Sequence, residues 1–180
     1  MISLTLARKY ARALIEIGLQ ERNYEALEED LKKMADLLKA NKELKAVLLS
    51  SAYPVVIRKG IAKRVSEALG LSKSTIKFID LLIERERMDH FQEIARSYES
   101  LCDSFSRRVR ATLVTAMRFP PELLSAIKSQ LESSTGSEVI LSVEEDPSLI
   151  GGILTRIGNV IYDGSLKTQL ARVKENLYKE

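Results

Sequence analysis

Between residues 22 and 40, Tyr24, Leu27, Leu31, Met34 and Leu38 recur at alternating steps of three and four, with charged residues filling the positions between them. That spacing lays a single apolar stripe along an α-helix. Helical periodicity, with no period-two stretch, continues to about Phe105. A chain patterned in this way folds by packing helix on helix. After a first helix carrying Leu4 to Gly18, further helices are expected at about 42–50, 55–69, 74–86 and 89–106. The fourth has the stripe Ile57, Ile61, Val65 and Leu69, with Pro54 tolerated at its start. Gly70 suits the position after that helix and Ser72 the cap of the next. Six helices with short connections predict a six-helix bundle over residues 1–106.

After Arg107 the texture changes. The run from Val109 to Ala116 is rich in β-branched residues, Val139 to Val143 is a second strand candidate, and the segments 152–157 and 160–162 flank Gly158-Asn159 as a tight hairpin. Pro120-Pro121-Glu122 opens a helix with Leu123, Leu124, Ile127 and Leu131 that Gly136 closes, and Ser165 caps a last helix carrying Leu166, Leu170, Val173 and Leu177. The order strand, helix, strand, strand, strand, helix predicts a small α/β domain over residues 107–180. The expected fold is thus mainly α with a smaller α/β part.

Composition narrows the function classes. At 45% hydrophobic the chain is not disordered, and 28 basic against 25 acidic residues leave a net charge of only +3, which disfavours a nucleic-acid scaffold. No run approaches about 18 uncharged apolar residues, and the first charges follow a very short apolar stretch, the reverse of a signal peptide. A soluble, cytoplasmic chain is expected. One Cys and one His in 180 residues exclude a disulfide framework and a structural zinc site. His90 and Cys102 stand twelve residues apart on one expected helix, too far to act as base and nucleophile. Cys102 shares a stripe with Phe91, Ile94, Ala95, Tyr98 and Phe105 and reads as core, and His90 beside Asp89 reads as a surface or capping residue. Gly151-Gly152 leads into a strand and lacks the spacings of phosphate-binding loops. Turn chemistry accounts for Asp163-Gly164-Ser165. Arg107, Arg108 and Arg110 form the densest basic cluster, either a solvated junction or a phosphate contact. No catalytic residue, metal ligand, cofactor or small-molecule substrate is assigned.

One feature exceeds what a core requires. A bundle helix needs an apolar arc of little more than about 100°. On the first helix Leu4, Leu6, Ala7, Tyr10, Ala11, Ala13, Leu14, Ile15, Ile17 and Gly18 sweep out about 200° at 100° per residue, leaving a strip with Arg8, Lys9, Arg12 and Glu16 for water. Ile76, Phe78, Ile79, Leu81, Leu82 and Ile83 cover a comparable arc on the fifth helix. Either both helices are central and wrapped on all sides, or together they leave an apolar groove suited to an amphipathic helix from another chain.

The segment Ala7-Arg-Lys-Tyr-Ala-Arg-Ala-Leu14, the segment Phe78-Ile-Asp-Leu-Leu-Ile-Glu-Arg-Glu-Arg87, and Asp146-Pro-Ser-Leu-Ile-Gly-Gly-Ile153 followed by Ile161-Tyr-Asp-Gly-Ser-Leu166 closely resemble the delta subunits of bacterial F-type ATP synthase, the family of the mitochondrial oligomycin-sensitivity-conferring protein. The resemblance covers essentially the whole chain. It implies a non-catalytic stator subunit of the peripheral stalk, joining the catalytic head to the membrane sector and held at the cytoplasmic face of the cell membrane only through the complex. It further implies that an N-terminal helical segment of an alpha subunit lies across the first and fifth helices. Carried onto this sequence, that contact would use Ala7, Tyr10, Ala11, Leu14, Phe78, Leu81 and Leu82. The C-terminal domain would meet the b subunits, with Leu170, Val173 and Leu177 as the expected contacts. One departure is Glu86, where that family often has Asn or Gly, and at a helix end little consequence is expected. The rival class is a helical adaptor or nucleic-acid-binding module using Arg107 to Arg110.

Overall fold

The computed structural model describes residues 2–158 and 160–177, with side chains for 4–158 and 160–174. Among the described residues there are eight α-helices, two short 3-10 turns and a four-stranded sheet, and the chain parts into two compact units, Met1–Cys102 and Asp103–Glu180. The parting falls inside a helix, before the expected 106/107 boundary.

The first unit holds α1 (Ile2–Gln20), α2 (Tyr24–Ala40), α3 (Lys42–Leu49), α4 (Val55–Ala68), α5 (Lys73–Glu84), a short 3-10 turn (Met88–His90) and most of α6 (Phe91–Phe105). All six helices and the turn contribute to one apolar core, with Leu27, Leu31, Met34 and Leu38 of α2 at its centre, as their spacing requires. Side chains stop and start the helices: Asn41 accepts from the Leu44 N–H (2.9 Å) at the start of α3, and Ser72 from the Thr75 N–H (3.2 Å) at the start of α5. Phe105, read as part of the core stripe of α6, is exposed at the end of that helix, whereas Phe91, Ile94, Tyr98 and Cys102 are fully buried.

Three positions in this unit depart from a pure apolar pattern. On α4 the buried line is Arg58, Ala62 and Ser66; Ile57, expected on the core stripe, is 51% exposed, and Ile61, Val65 and Leu69 are half-buried. Small side chains let the helix settle closely, and the Arg58 guanidinium reaches Glu86 at 3.6 Å. Asp30 of α2 is also buried. It accepts from the Ser72 N–H and the Thr75 hydroxyl, both at 2.8 Å, so its charge lies at the positive end of α5 and ties the two helices together. Gly18 closes α1 against α2, where a Cβ would stand 2.9 Å from the Tyr24 Cα and 3.0 Å from the Tyr98 hydroxyl.

The second unit contains β1 (Arg108–Thr115), α7 (Pro121–Thr135), β2 (Glu138–Glu145), a 3-10 turn (Pro147–Leu149), β3 (Ile153–Ile157), β4 (Val160–Asp163) and α8 (Leu166–Leu177). The element order is the one the sequence predicts. The sheet runs β2-β1-β3-β4, with β1 parallel to β2 through the α7 crossover, antiparallel to β3, and β3 antiparallel to β4. The expected turn residue Asn159 lies outside the described residues, and the hairpin register closes at Ile157 opposite Val160.

Two loops clasp each other beside that hairpin. The Leu166 N–H donates to the Gly151 carbonyl and the Gly164 N–H to the Ile153 carbonyl, both at 2.9 Å. Gly152 has φ 79°, and a Cβ there would lie 2.4 Å from the Gly164 carbonyl oxygen. No other residue type allows that approach.

Candidate functional site

The wide apolar arc of α1 divides into two faces. Ala7, Ala11, Leu14, Ile15 and Gly18 are buried, whereas Leu6 and Tyr10 are half-buried and Ala13 and Ile17 exposed. The latter four follow the steps i, i+4, i+7 and i+11, so they form a second stripe about 100° around the helix from the buried one. On α5, Phe78, Ile79, Leu82 and Ile83 are buried and Leu81 is 38% exposed. The Tyr10 and Phe78 rings meet edge to face with centroids 6.3 Å apart, which ties the outer stripe of α1 to α5, the helix on which Leu81 is exposed. Just past the end of α1, Glu21 accepts from the Ser74 hydroxyl of α5 at 2.8 Å. That bond and one from Asn23 hold the Glu21 carboxyl below its ordinary range.

Of the seven residues expected to form one contact surface on α1 and α5, the structure therefore leaves only Tyr10 and Leu81 accessible. Ala7, Ala11, Leu14 and Leu82 are fully buried and Phe78 nearly so, because at 40° per four-residue step neighbouring members of an arc lie on opposite sides of the core boundary. Leu6, Ala13 and Ile17 share the accessible stripe of α1 with Tyr10.

On α8, Leu170 and Val173 are 58% and 56% exposed and, with Leu166, make an i, i+4, i+7 stripe. The side chain of Leu177, expected to extend it, lies outside the described residues. Val160, Ile161 and Tyr162 of β4 are exposed in the same unit.

The remaining sites resolve into structure. Arg110 grips Asp103 in a two-bond fork (2.7 and 3.1 Å) and Arg108 approaches the same carboxylate at 3.6 Å, so two members of the basic cluster are already paired. Cys102 is buried with Sγ 3.8 Å from the Tyr24 carbonyl, which also accepts from the Tyr98 hydroxyl at 3.0 Å. Burial pushes the Tyr98 phenol well above its ordinary range. His90 lies 3.4 Å from Asp89. Among the described residues no group of three or more His, Cys, Asp or Glu side chains gathers as a metal site, and no helix is long and apolar enough to cross a membrane.

The family model for the ATP synthase delta (OSCP) subunit matches residues 6–177. The chain belongs to the ATP synthase delta (OSCP) family. It is 37% identical to ATP synthase subunit delta of Geotalea uraniireducens over 179 residues, 99% of both chains, and 36% identical to that of Desulfosudis oleivorans, 99% of this chain and 98% of the relative. A chain in the mitochondrial ATP synthase hexamer of Toxoplasma gondii shares the fold at TM-score 0.73 and 19% identity, covering 96% of this chain and 97% of that one.

In this delta-family chain, the residues carrying the most specific sequence motif are architectural. Gly151, Gly152, Gly164 and Ser165 form the clasp between two loops, and Asp146 caps its 3-10 turn by accepting from the Ser148 N–H at 2.9 Å. That N–H holds the Asp146 carboxyl below its ordinary range. The nucleic-acid alternative is not favoured: the delta family model covers residues 6–177, and two of the three arginines it would use are paired with Asp103.

Proposed function

We propose that this delta-family subunit of the F1Fo ATP synthase is a non-catalytic tie in the peripheral stalk, at the cytoplasmic face of the cell membrane. Its first unit seats the helical N-terminus of an alpha subunit, and its second meets the b subunits. Rotation of the central shaft is converted to ATP synthesis only if the catalytic head is kept from turning with it. A tie under torque must release slowly, and nanomolar attachment corresponds to about −12 kcal/mol. A mostly apolar contact with aromatic anchors supplies energies of that order.

The observation that carries this reading is the stripe Leu6, Tyr10, Ala13 and Ile17, joined by the Tyr10–Phe78 ring contact to the helix on which Leu81 is exposed. It is apolar, helical in period and left over once the core is filled, which suits the apolar face of a partner helix. Tyr10→Asp or Leu81→Asp should weaken binding of a synthetic alpha N-terminal peptide at least about tenfold in calorimetry while the helical signal stays native. Leu14→Asp should instead unfold the unit, because Leu14 is interior. Native affinity in both the Tyr10 and Leu81 variants would remove the assignment.

A further inference from the structure

The polar strip of α1 faces a second element. Arg8, Lys9 and Arg12 line an open groove of about 670 Å³ with Arg96 of α6 on its other wall. Arg8 and Arg12 are one turn apart on one face. These four cations are exposed, and none forms an ion pair with the described residues. Glu93 is the only acid among the described residues of the lining, and its Oε2 is buried without a hydrogen-bond partner among them. Leu4, 56% exposed, and Leu101 add apolar surface to the same groove.

We propose that this groove is a second docking site, distinct from the apolar stripe, and that its occupant is an acidic, amphipathic polypeptide segment. Four unpaired cations converging on one concave surface attract carboxylates and steer their approach. Glu93 decides between anions. Its unpartnered oxygen needs an N–H donor, which the unbonded N–H groups in the first turn of a peptide helix bring together with its carboxylates. A phosphate group brings negative charge toward Glu93 and no such donor. The lining has no aromatic side chain on which a nucleic-acid base could stack. Leu4 and Leu101 suit the apolar positions of a short amphipathic segment and have no use for an inorganic anion. Arg8 and Arg12 project about 140–180° away from Tyr10 and Ile17 at 100° per residue, so one helix can serve both attachments on opposite faces.

The test titrates the full-length chain with a labelled helical peptide of Glu, Leu and Ala, read by fluorescence anisotropy at low and at physiological salt. Saturable binding is expected, weakening as salt screens the groove. The double variant Arg8→Glu with Arg12→Glu, and independently Arg96→Glu, should each lose about tenfold or more in affinity. Circular dichroism should remain native, since all three side chains are exposed. Tyr10→Asp should bind the acidic peptide as the native chain does, which separates failure of this site from failure of the alpha-peptide site. Absence of binding to the native chain, or unchanged affinity in the charge-reversed variants, overturns the proposal. So does displacement of the peptide by equimolar pyrophosphate or by phosphatidylglycerol vesicles, which would make the groove a phosphate or lipid site.

Discussion

Glu86 shows how much a single position holds. It ends the α5 segment with φ 55°, a left-handed conformation that costs an ordinary side chain about 1 kcal/mol and that Asn or Gly adopts readily. Its carboxylate stands 3.6 Å from the guanidinium of Arg58, which is 3% exposed. A residue at which little consequence was expected thus carries both strain and the partner of a buried charge. Glu86→Gln keeps the strain and loses the charge pair; Glu86→Asn loses the pair but relieves the strain. Thermal unfolding should rank native above Asn, and Asn above Gln by about 1 kcal/mol. A Gln variant as stable as the Asn variant would show that the left-handed backbone is not the cost. Arg58 itself was not legible as buried, because hydrophobic periodicity marks Ile57 and Ile61 and is silent about a long cation whose stem packs inward.

At the scale of elements, α8 is started by a carboxylate and two hydroxyls. Asp163 accepts from the Ser165 N–H and the Thr168 hydroxyl, both at 2.8 Å, and Ser165 Oγ accepts from the Thr168 N–H at 3.3 Å. The Ser165 bonds first, and then the Thr168 hydroxyl, hold the Asp163 carboxyl below its ordinary range. Because the folded value is depressed, the stabilisation is complete above the unfolded value of about 3.9 and is lost as pH falls through the folded one. Melting temperature should therefore fall in acid below about pH 4, and less steeply in Asp163→Asn; parallel curves would show that this cap does not report on pH. Asp146 and Glu21 add slopes of the same sign. Most element boundaries were legible because caps and glycines stand at them: Ser72, Gly136 and Ser165 all act where the sequence placed them. The division of the α1 arc was not. Periodicity reports which residues share a side of a helix, but Tyr10 and Leu14 differ by only 40°, and the position of the core boundary between them depends on how α5 packs.

For the whole molecule, the proposed function gives each of the two units its own partner. Leu170→Asp together with Val173→Asp should abolish binding to the b subunits in a pull-down while the alpha peptide binds with native affinity, because the two stripes belong to separate compact units, each with its own internal contacts. Loss of both interactions at once would mean that the units do not act separately. The exposed stripe of α8 was legible from its spacing alone, since too little of the second unit exists to cover it. The sheet of that unit ends in β4, an edge strand whose Val160, Ile161 and Tyr162 are all more than half exposed. An open strand edge flanked by apolar side chains is a template for pairing with other chains. Copies synthesised in excess of the rest of the complex should therefore self-associate through this edge.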